Sequence, residues 1–115
     1  MAQLTIFTRF AWVITTLLSV TTTGSAAMPG ETVYRDTCIA CHGADGEGTL
    51  PGVPDLVGPN GALGKADAVL MNNIINGIQS PGSPLSMPPK GGNPELSRED
   101  VEAVIRYMRE TFGSK

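Results

Sequence analysis

Residues 38–42 read Cys38-Ile39-Ala40-Cys41-His42, and this short stretch decides how the chain folds. The two thiols are three positions apart, so on a helix they lie on one face and can reach the same edge of a flat ligand. A C-x-x-C-H string is the attachment signature of a c-type haem, in which the thiols bond to the porphyrin and the histidine binds the iron. The stretch therefore predicts a covalent haem at Cys38 and Cys41, with His42 as an axial iron ligand.

Three other sites can be built on a Cys-x-x-Cys pair, and the rest of the chain fits each of them less well. A thioredoxin-like redox pair lies beside a βαβ pattern, which the flanking sequence lacks. A zinc site needs four ligands, whereas the whole chain contains two cysteines and one histidine. A disulfide between positions so close together would close a very small loop and add little stability. The sequence therefore favours haem attachment.

The N-terminal stretch has the three parts of a secretory signal peptide. Residues 1–9 contain one basic side chain and no acid, residues 10–20 are mostly apolar, and residues 24–27 are all small. The apolar run is shorter than the ~20 residues that span a bilayer, and threonine and serine interrupt it. We therefore predict that residues 1–27 are a signal peptide, cleaved after Ala26 or Ala27, and that no stable membrane anchor remains.

Residues 28–115 are then expected to form one small monohaem domain, a monomer in the periplasm. A chain of this size buries too little surface to be very stable alone, so a haem at its centre would supply much of the core. The whole chain has 11 acidic and 8 basic residues and a net charge of -3 at pH 7. Nucleic acid is therefore not an expected partner. The excess of acids either keeps the protein soluble or steers it towards basic partner surfaces, and both interpretations stay open.

The hydropathy pattern predicts an all-α fold of three to four helices, joined by loops that are rich in glycine and proline. Helices are expected over residues 31–40, over residues 65–77, and from an N-cap at Ser97 to Gly113. No strand is predicted, and the long loops cover residues 43–60 and 80–94. The residues expected on the buried faces of the second and last helices are Val69, Leu70, Ile74 and Ile78, and Val101, Val104, Ile105, Met108 and Phe112.

A haem iron bound by one histidine is an electron-transfer centre when the protein supplies a second strong ligand. His42 is the one histidine in the chain, so a second histidine ligand is excluded and a thioether is the alternative. Met71 and Met108 lie in predicted helices, where filling the core is the expected role, and Met28 lies at the new N-terminus. Met87 lies in a loop beside two prolines, which restrict the backbone and can hold its sulfur at the iron. Met87 is therefore the predicted second ligand.

The chain resembles the class I cytochrome c family in three places. They are the motif at residues 38–42, the run Pro54-Asp55-Leu56, and the run Met87-Pro88-Pro89 before a last helix that contains Tyr107. Residues 87–92 look like the same run in small bacterial monohaem cytochromes of the c5 type, and the likeness covers residues 31–112. Many c5-type proteins carry an extra cysteine pair near the last helix, and residues 93–97 contain none.

The resemblance implies that His42 and Met87 ligate the iron, within a class I cytochrome c fold that wraps around the haem. It also implies that the Pro54 carbonyl accepts a hydrogen bond from the other ring nitrogen of His42, which would fix the orientation of the ring. Gly30, four residues before a tyrosine, and Tyr107 match the close crossing of the first and last helices in this family.

These features predict a soluble periplasmic carrier that moves one electron by cycling haem iron between its ferrous and ferric states. No substrate is transformed, so the protein is not expected to be an enzyme, and its partners are redox proteins that donate or accept the electron. Five residues are expected to line the haem and exclude water: Pro54, Leu56, Val57, Leu70 and Ile74. Two alternatives stay open, namely a haem electron-acceptor subunit of a periplasmic dehydrogenase and a haem-based ligand sensor with a displaceable methionine.

Overall fold

Residues 26–113 are described by a computed structural model. The predicted signal peptide lies outside these residues except for Ala26 and Ala27, which are both exposed, and its cleavage stays a prediction. The described part of the chain contains four α-helices, two very short strands and two 3-10 turns. None of its helices is both long and apolar enough to cross a membrane. This mostly helical architecture confirms the predicted all-α fold class.

The Cys-x-x-Cys-His motif lies at the end of a helical stretch that has three parts. Helix α1 (Gly30–Val33) leads into a π-helical turn (Tyr34–Cys38), and α2 (Ile39–His42) completes the stretch. The helix predicted over residues 31–40 is therefore confirmed, and it continues to His42. A π turn inserts an extra residue into a helix and is often found at functional sites. Here it ends at the first thiol of the motif.

The second predicted helix is α3 (Asp67–Asn76), which begins two residues later than expected. Gly77 ends it with a φ of 76°, a left-handed conformation that glycine adopts without strain. Leu70 and Met71 are buried, but the prediction that Val69 is buried is wrong, because 45% of that residue is exposed. The buried face of α3 therefore includes Met71 in place of the predicted Val69.

Two strands of two residues each follow α3 and form a small antiparallel ladder. Strand β1 (Ile78–Gln79) pairs with β2 (Ser86–Met87), so that Ile78 lies opposite Met87. The prediction that the chain has no strand is therefore wrong, as is the placing of Ile78 on a helix. Strands this short cannot show the alternation of apolar and polar residues that identifies a strand in sequence. A 3-10 turn (Pro89–Gly92) comes directly after the ladder.

The last predicted helix is α4 (Arg98–Phe112). The Ser97 hydroxyl accepts a hydrogen bond from the Asp100 N–H at 3.1 Å, and the Asp100 carboxylate accepts one from the Ser97 N–H at 2.9 Å. This reciprocal arrangement is a capping box, which satisfies two of the free donors at a helix start. The predicted N-cap is confirmed, and all five residues predicted for the apolar face are buried: Val101, Val104, Ile105, Met108 and Phe112.

Helix α1 crosses α4 at Gly30. A Cβ atom at this position would collide with the Ala103 carbonyl oxygen, so glycine is needed for the two backbones to come this close. Beside the crossing, the Tyr34 ring packs against Tyr107 and Phe112, with ring centroids 5.7 and 5.2 Å apart. The close helix crossing that the family resemblance implied is confirmed, and it forms one side of the core.

One guanidinium group ties the start of α3 to α4. Arg109 donates a hydrogen bond from Nε to the Asp67 carboxylate at 2.6 Å. Its two terminal nitrogens donate to the carbonyl oxygens of Leu63 at 2.7 Å and Lys65 at 2.6 Å. Leu63 lies in a 3-10 turn (Ala62–Gly64), and Lys65 directly follows it. The planar fork of arginine suits such a multiple contact, and it fixes the segment that enters α3.

Candidate functional site

The two thiols of the motif occupy different environments. Cys38 is half-buried, Cys41 is exposed, and both are free. Burial and, to a smaller extent, the nearby Cys41 raise the pKa of the Cys38 thiol to about 11. Cysteines that act in redox exchange have a lowered pKa, because the thiolate is the reactive form. The surroundings of Cys38 therefore differ from those of a thioredoxin-like pair.

His42 is half-buried at the C-terminal end of α2. Burial lowers the pKa of its imidazole below the usual value, which favours the neutral form that binds metals. Its Nδ1 atom is buried and has no hydrogen-bond partner within residues 26–113. A buried polar group without a partner typically costs about 1–3 kcal/mol. The side chain therefore has unused bonding capacity of the kind that a bound haem iron and its associated hydrogen bonds satisfy.

The hydrogen bond that the resemblance implied between His42 and the Pro54 carbonyl is not formed in this structure. Pro54 is exposed, and the Nδ1 atom that would donate to it is the unpartnered one. The loop that carries Pro54 is nevertheless attached to the motif. The Gly48 N–H donates to the His42 carbonyl at 2.9 Å, and the Thr49 N–H donates to the Cys41 carbonyl at 2.9 Å. These bonds satisfy carbonyl groups that the end of a helix leaves free.

Tyr34, which packs in the core beside Tyr107 and Phe112, also holds the motif in place. The Tyr34 hydroxyl donates a buried hydrogen bond to the Gly43 carbonyl at 2.7 Å, directly after His42. Burial raises the pKa of this hydroxyl to about 12, so it stays protonated and able to donate. Gly43 has a φ of 77°, which turns the chain away from the helix. Nothing in the sequence pattern distinguishes this tyrosine from an ordinary core residue.

Met87 lies on β2 and is half-buried. The end of α3 contacts its backbone directly, because a Cβ atom on Gly77 would lie 2.6 Å from the Met87 carbonyl oxygen. The other methionines have different surroundings. Met71 and Met108 are buried in the core, in agreement with their predicted packing role, and Met28 is 39% exposed. Among these four side chains, Met87 alone is half-buried and lies in the loop region between α3 and α4.

The structure joins the Met87 segment at two places to the stretches that flank the motif, one before Cys38 and one after His42. The Asn93 amide donates to the Thr37 hydroxyl at 3.5 Å, and a Cβ atom on Gly91 would lie 2.9 Å from the Thr37 methyl group. On the other side, the Ser83 hydroxyl lies 2.7 Å from the Gly52 carbonyl oxygen. The chain therefore brings together the segments that carry His42 and the predicted second ligand.

The predicted haem-lining residues are not all placed alike. Leu56 and Leu70 are buried, Val57 and Ile74 are half-buried, and Pro54 is exposed. A cavity of about 290 Å³ has Leu56, Val57 and Phe112 among its lining residues, but neither His42 nor Met87 borders it. The role of these residues towards a haem stays a prediction, whereas the two thiols, the imidazole and its unpartnered nitrogen fit covalent haem attachment.

Comparison with known proteins identifies the class of protein that this fold and site define. The family model for cytochrome C oxidase, cbb3-type, subunit III matches residues 25–108. Cytochrome c-555 of Prosthecochloris aestuarii is 33% identical over 81 residues, which are 69% of this chain and 81% of that protein. The chain therefore belongs to the class I cytochrome c family, and its cofactor is covalent haem c. Its likeness to the c5 type stays a prediction.

Two further relatives are much longer than this chain. Lupanine 17-hydroxylase [cytochrome c] of a Pseudomonas species is 35% identical over 87 residues, which are 75% of this chain and 11% of that protein. The gluconate 2-dehydrogenase cytochrome c subunit of Pantoea cypripedii is 28% identical over 97 residues, which are 79% of this chain and 22% of that subunit. The match therefore covers a small part of each relative. What the family membership supports for this chain is electron transfer by a cytochrome c domain.

Proposed function

We propose that this protein is an exported, soluble one-electron carrier of the periplasm, in which His42 and Met87 ligate the iron of a haem held by Cys38 and Cys41. When bound, the haem supplies a reversible couple between ferric and ferrous iron. The residues of the chain bind the group, fix its ligands and keep water away from it. The proposal includes no substrate, and the partners are redox proteins.

The observation that carries this proposal is the state of His42. Its imidazole lies at the end of α2, in the same short motif as two free thiols; burial lowers its pKa, and one ring nitrogen is buried without a partner within residues 26–113. Around it, the Gly43, Gly48 and Thr49 backbone groups fix the end of the helix. A ligand whose backbone is fixed in this way, and whose ring has bonding capacity unused, is suited to keep one position in both oxidation states.

Met87 is assigned as the other ligand because of the position and the contacts of the segment that carries it. It is half-buried, its backbone packs against Gly77, and its segment is attached to the stretches on both sides of the motif, at Thr37 and Gly52. A thioether ligand favours ferrous iron and so raises the reduction potential. Leu56 and Leu70 are buried and would exclude water from the haem.

A redox-titrated spectrum of the protein purified from the periplasmic fraction tests the proposal. We expect a haem that stays attached on denaturation, a six-coordinate spectrum, and the weak near-infrared band of a sulfur-to-iron charge transfer in the ferric state. A ferric spectrum without that band would contradict the assignment of Met87. Recovery of the haem protein in the cytoplasmic fraction would contradict export.

The second candidate is a dedicated electron acceptor of a dehydrogenase. The relatives that favour it are named as a hydroxylase with a cytochrome c and as a dehydrogenase cytochrome c subunit. Chemical cross-linking in the periplasm followed by purification distinguishes the two roles: a free carrier is recovered alone, whereas an acceptor subunit is recovered with one larger chain.

The ligand-sensor alternative is tested by carbon monoxide. A firmly ligated carrier should bind it poorly in the native ferrous state, whereas a sensor with a displaceable methionine should bind it readily. Rapid formation of the carbon monoxide complex at neutral pH would favour the sensor.

A further inference from the structure

Two Pro-Gly turns meet at the surface between the two ligand segments. One follows His42 and is closed by a hydrogen bond from the Val53 N–H to the Leu50 carbonyl at 3.1 Å. The other precedes Met87 and is closed by a hydrogen bond from the Ser83 N–H to the Ser80 carbonyl, also at 3.1 Å. In each, proline is followed by a glycine with positive φ, as a type II turn requires. The two turns are therefore rigid elements of the same design.

The turns are joined by one side chain. The Ser83 hydroxyl oxygen lies 2.7 Å from the Gly52 carbonyl and 2.8 Å from the Leu85 carbonyl, and it accepts a hydrogen bond from the Leu85 N–H at 3.2 Å. A hydroxyl has a single proton to donate. The Gly52 carbonyl is the nearer of the two acceptors, and donation to it is the arrangement that links the two loops.

The two turns are also packed closely. A Cβ atom on Gly52 would lie 2.7 Å from the Pro84 ring and 3.1 Å from the Ser83 hydroxyl oxygen. The absence of a side chain at Gly52 is thus necessary for the contact. We call the Ser83–Gly52 hydrogen bond and this packing the interturn contact.

A short route connects the interturn contact to Met87. The Gln79 amide donates to the Ser83 carbonyl at 3.0 Å, and Gln79 pairs with Ser86 in the ladder. The neighbouring pair in the same ladder is Ile78 with Met87. A displacement of the Ser83 turn would therefore pass directly to the strand that carries Met87.

We propose that Ser83 is a positioning residue whose contact with Gly52 holds Met87 at the iron and sets its resistance to displacement by other ligands. The inference rests on the proposed ligation by Met87. The interturn contact connects the loop after one ligand to the loop before the other, and it is independent of the attachment of the haem by the two thiols. Its loss should release Met87 more often without affecting haem loading.

The test is displacement of Met87 by imidazole in the ferric holoprotein, followed by the near-infrared sulfur band. Apparent imidazole affinity rises with the fraction of molecules in which the iron is open. Ser83→Ala should raise it about fivefold, the effect expected for one net hydrogen bond. Ser83→Thr, which keeps a hydroxyl, should restore the original affinity.

Ser86→Ala is the matched control. It is the same chemical change, one residue before Met87, at an exposed serine whose side chain makes no hydrogen bond within residues 26–113. Equal imidazole affinities for Ser83→Ala and Ser86→Ala would overturn the proposal. Failure of Ser83→Ala to bind haem where Ser86→Ala binds it would also overturn it, because the contact would then serve folding rather than the ligand.

A second pair of variants approaches the contact from the other loop. Gly52→Ala and Gly58→Ala both place a side chain at a positive φ, 91° and 84° respectively, so both incur similar backbone strain. Only the first meets Pro84, since nothing lies within 4 Å of a Cβ atom on Gly58. We expect imidazole to bind more tightly to Gly52→Ala than to Gly58→Ala, and equal binding would contradict the proposal.

Met87→Ala separates failure of this inference from failure of the proposed ligation. If Met87→Ala keeps the sulfur band, the ligand assignment is wrong and the positioning role falls with it. If Met87→Ala loses the band while Ser83→Ala behaves like Ser86→Ala, the ligation holds and the positioning role alone is wrong.

Discussion

Met87 differs from the buried methionines in its surroundings, although all of them carry the same thioether. Changing Met87 to alanine should remove the near-infrared sulfur band and lower the reduction potential, because methionine favours ferrous iron. Met71→Ala and Met108→Ala should keep the band and instead lose about 2–5 kcal/mol of stability, as expected for truncation of a buried side chain. Spectra and denaturant unfolding of the three holoproteins check this. A band that survives in Met87→Ala and vanishes in Met108→Ala would reverse the assignment.

Tyr34 supplies a second prediction at the level of the single residue. Tyr34→Phe keeps the ring that packs on Phe112 but leaves the Gly43 carbonyl without its donor. The loss should be about 1–3 kcal/mol of unfolding free energy, the cost of an unsatisfied buried acceptor. Tyr107→Phe is the matched control, since the Tyr107 hydroxyl makes no hydrogen bond in the described part of the chain and its ring is half-buried. Equal losses for the two variants would show that the Tyr34 hydroxyl does not support the motif.

At the scale of the helix, the start of α4 depends on one carboxylate. Asp100 accepts hydrogen bonds from the Ser97 N–H, the Ser97 hydroxyl and the Met28 N–H. The Ser97 backbone bond, followed by the Met28 bond, lowers the pKa of Asp100. In the unfolded chain an aspartate has a pKa of about 3.9. The stabilisation is therefore present above about pH 4 and is lost as the pH falls through the lower folded pKa.

Unfolding measured between pH 3 and 7 tests this role. The wild type should lose stability on acidification more steeply than Asp100→Asn, which has no carboxylate to protonate. Glu99→Gln, a neutralisation at an exposed position in the same first turn, should follow the wild type. If the unfolding free energy of wild type and Asp100→Asn falls equally on acidification, the capping box does not depend on the charge of Asp100.

Elements that rest on long patterns could be predicted from sequence, and elements that rest on single contacts could not. The capped, strongly amphipathic α4 and the motif helix follow from local signals. The ladder that carries Met87 has strands of two residues, and the π turn before Cys38 has no compositional mark. Contacts such as the Arg109 fork and the Ser83 hydroxyl join residues far apart in the chain, so they depend on the assembled fold rather than on any local pattern.

The same distinction applies to the site. Cys38, Cys41 and His42 share one short string, and chemistry assigns their roles directly. The selection of Met87 depended on excluding a second histidine and on the prolines beside it. The Pro54 hydrogen bond came only from the family resemblance, and the structure leaves the His42 nitrogen without that partner. A family resemblance does not show whether such a hydrogen bond forms, because the bond depends on where the loop that carries Pro54 lies.

At the scale of the whole molecule, charge is unevenly distributed. The chain has 11 acidic and 8 basic residues, and residues 36–64, which include the motif and the loop after it, contain four acids and no lysine or arginine. Asp45, Glu47 and Asp55 in that loop are all exposed. An acidic surface beside the haem-binding motif would attract a partner with a basic surface, and such attraction is screened beyond ~8–10 Å at 0.1–0.15 M salt.

Electron-transfer rates with a basic redox protein should therefore fall as salt rises. Neutralising Asp45, Glu47 and Asp55 together should flatten this dependence, since charges at the docking surface dominate the encounter rate. Neutralising three exposed acids of α4, namely Glu99, Glu102 and Glu110, gives the same change in net charge and should leave most of the salt dependence in place. If both triple variants flatten the salt dependence equally, net charge rather than the loop after the motif governs the encounter. If the wild-type rates do not change with salt, electrostatic steering plays no part in recognition.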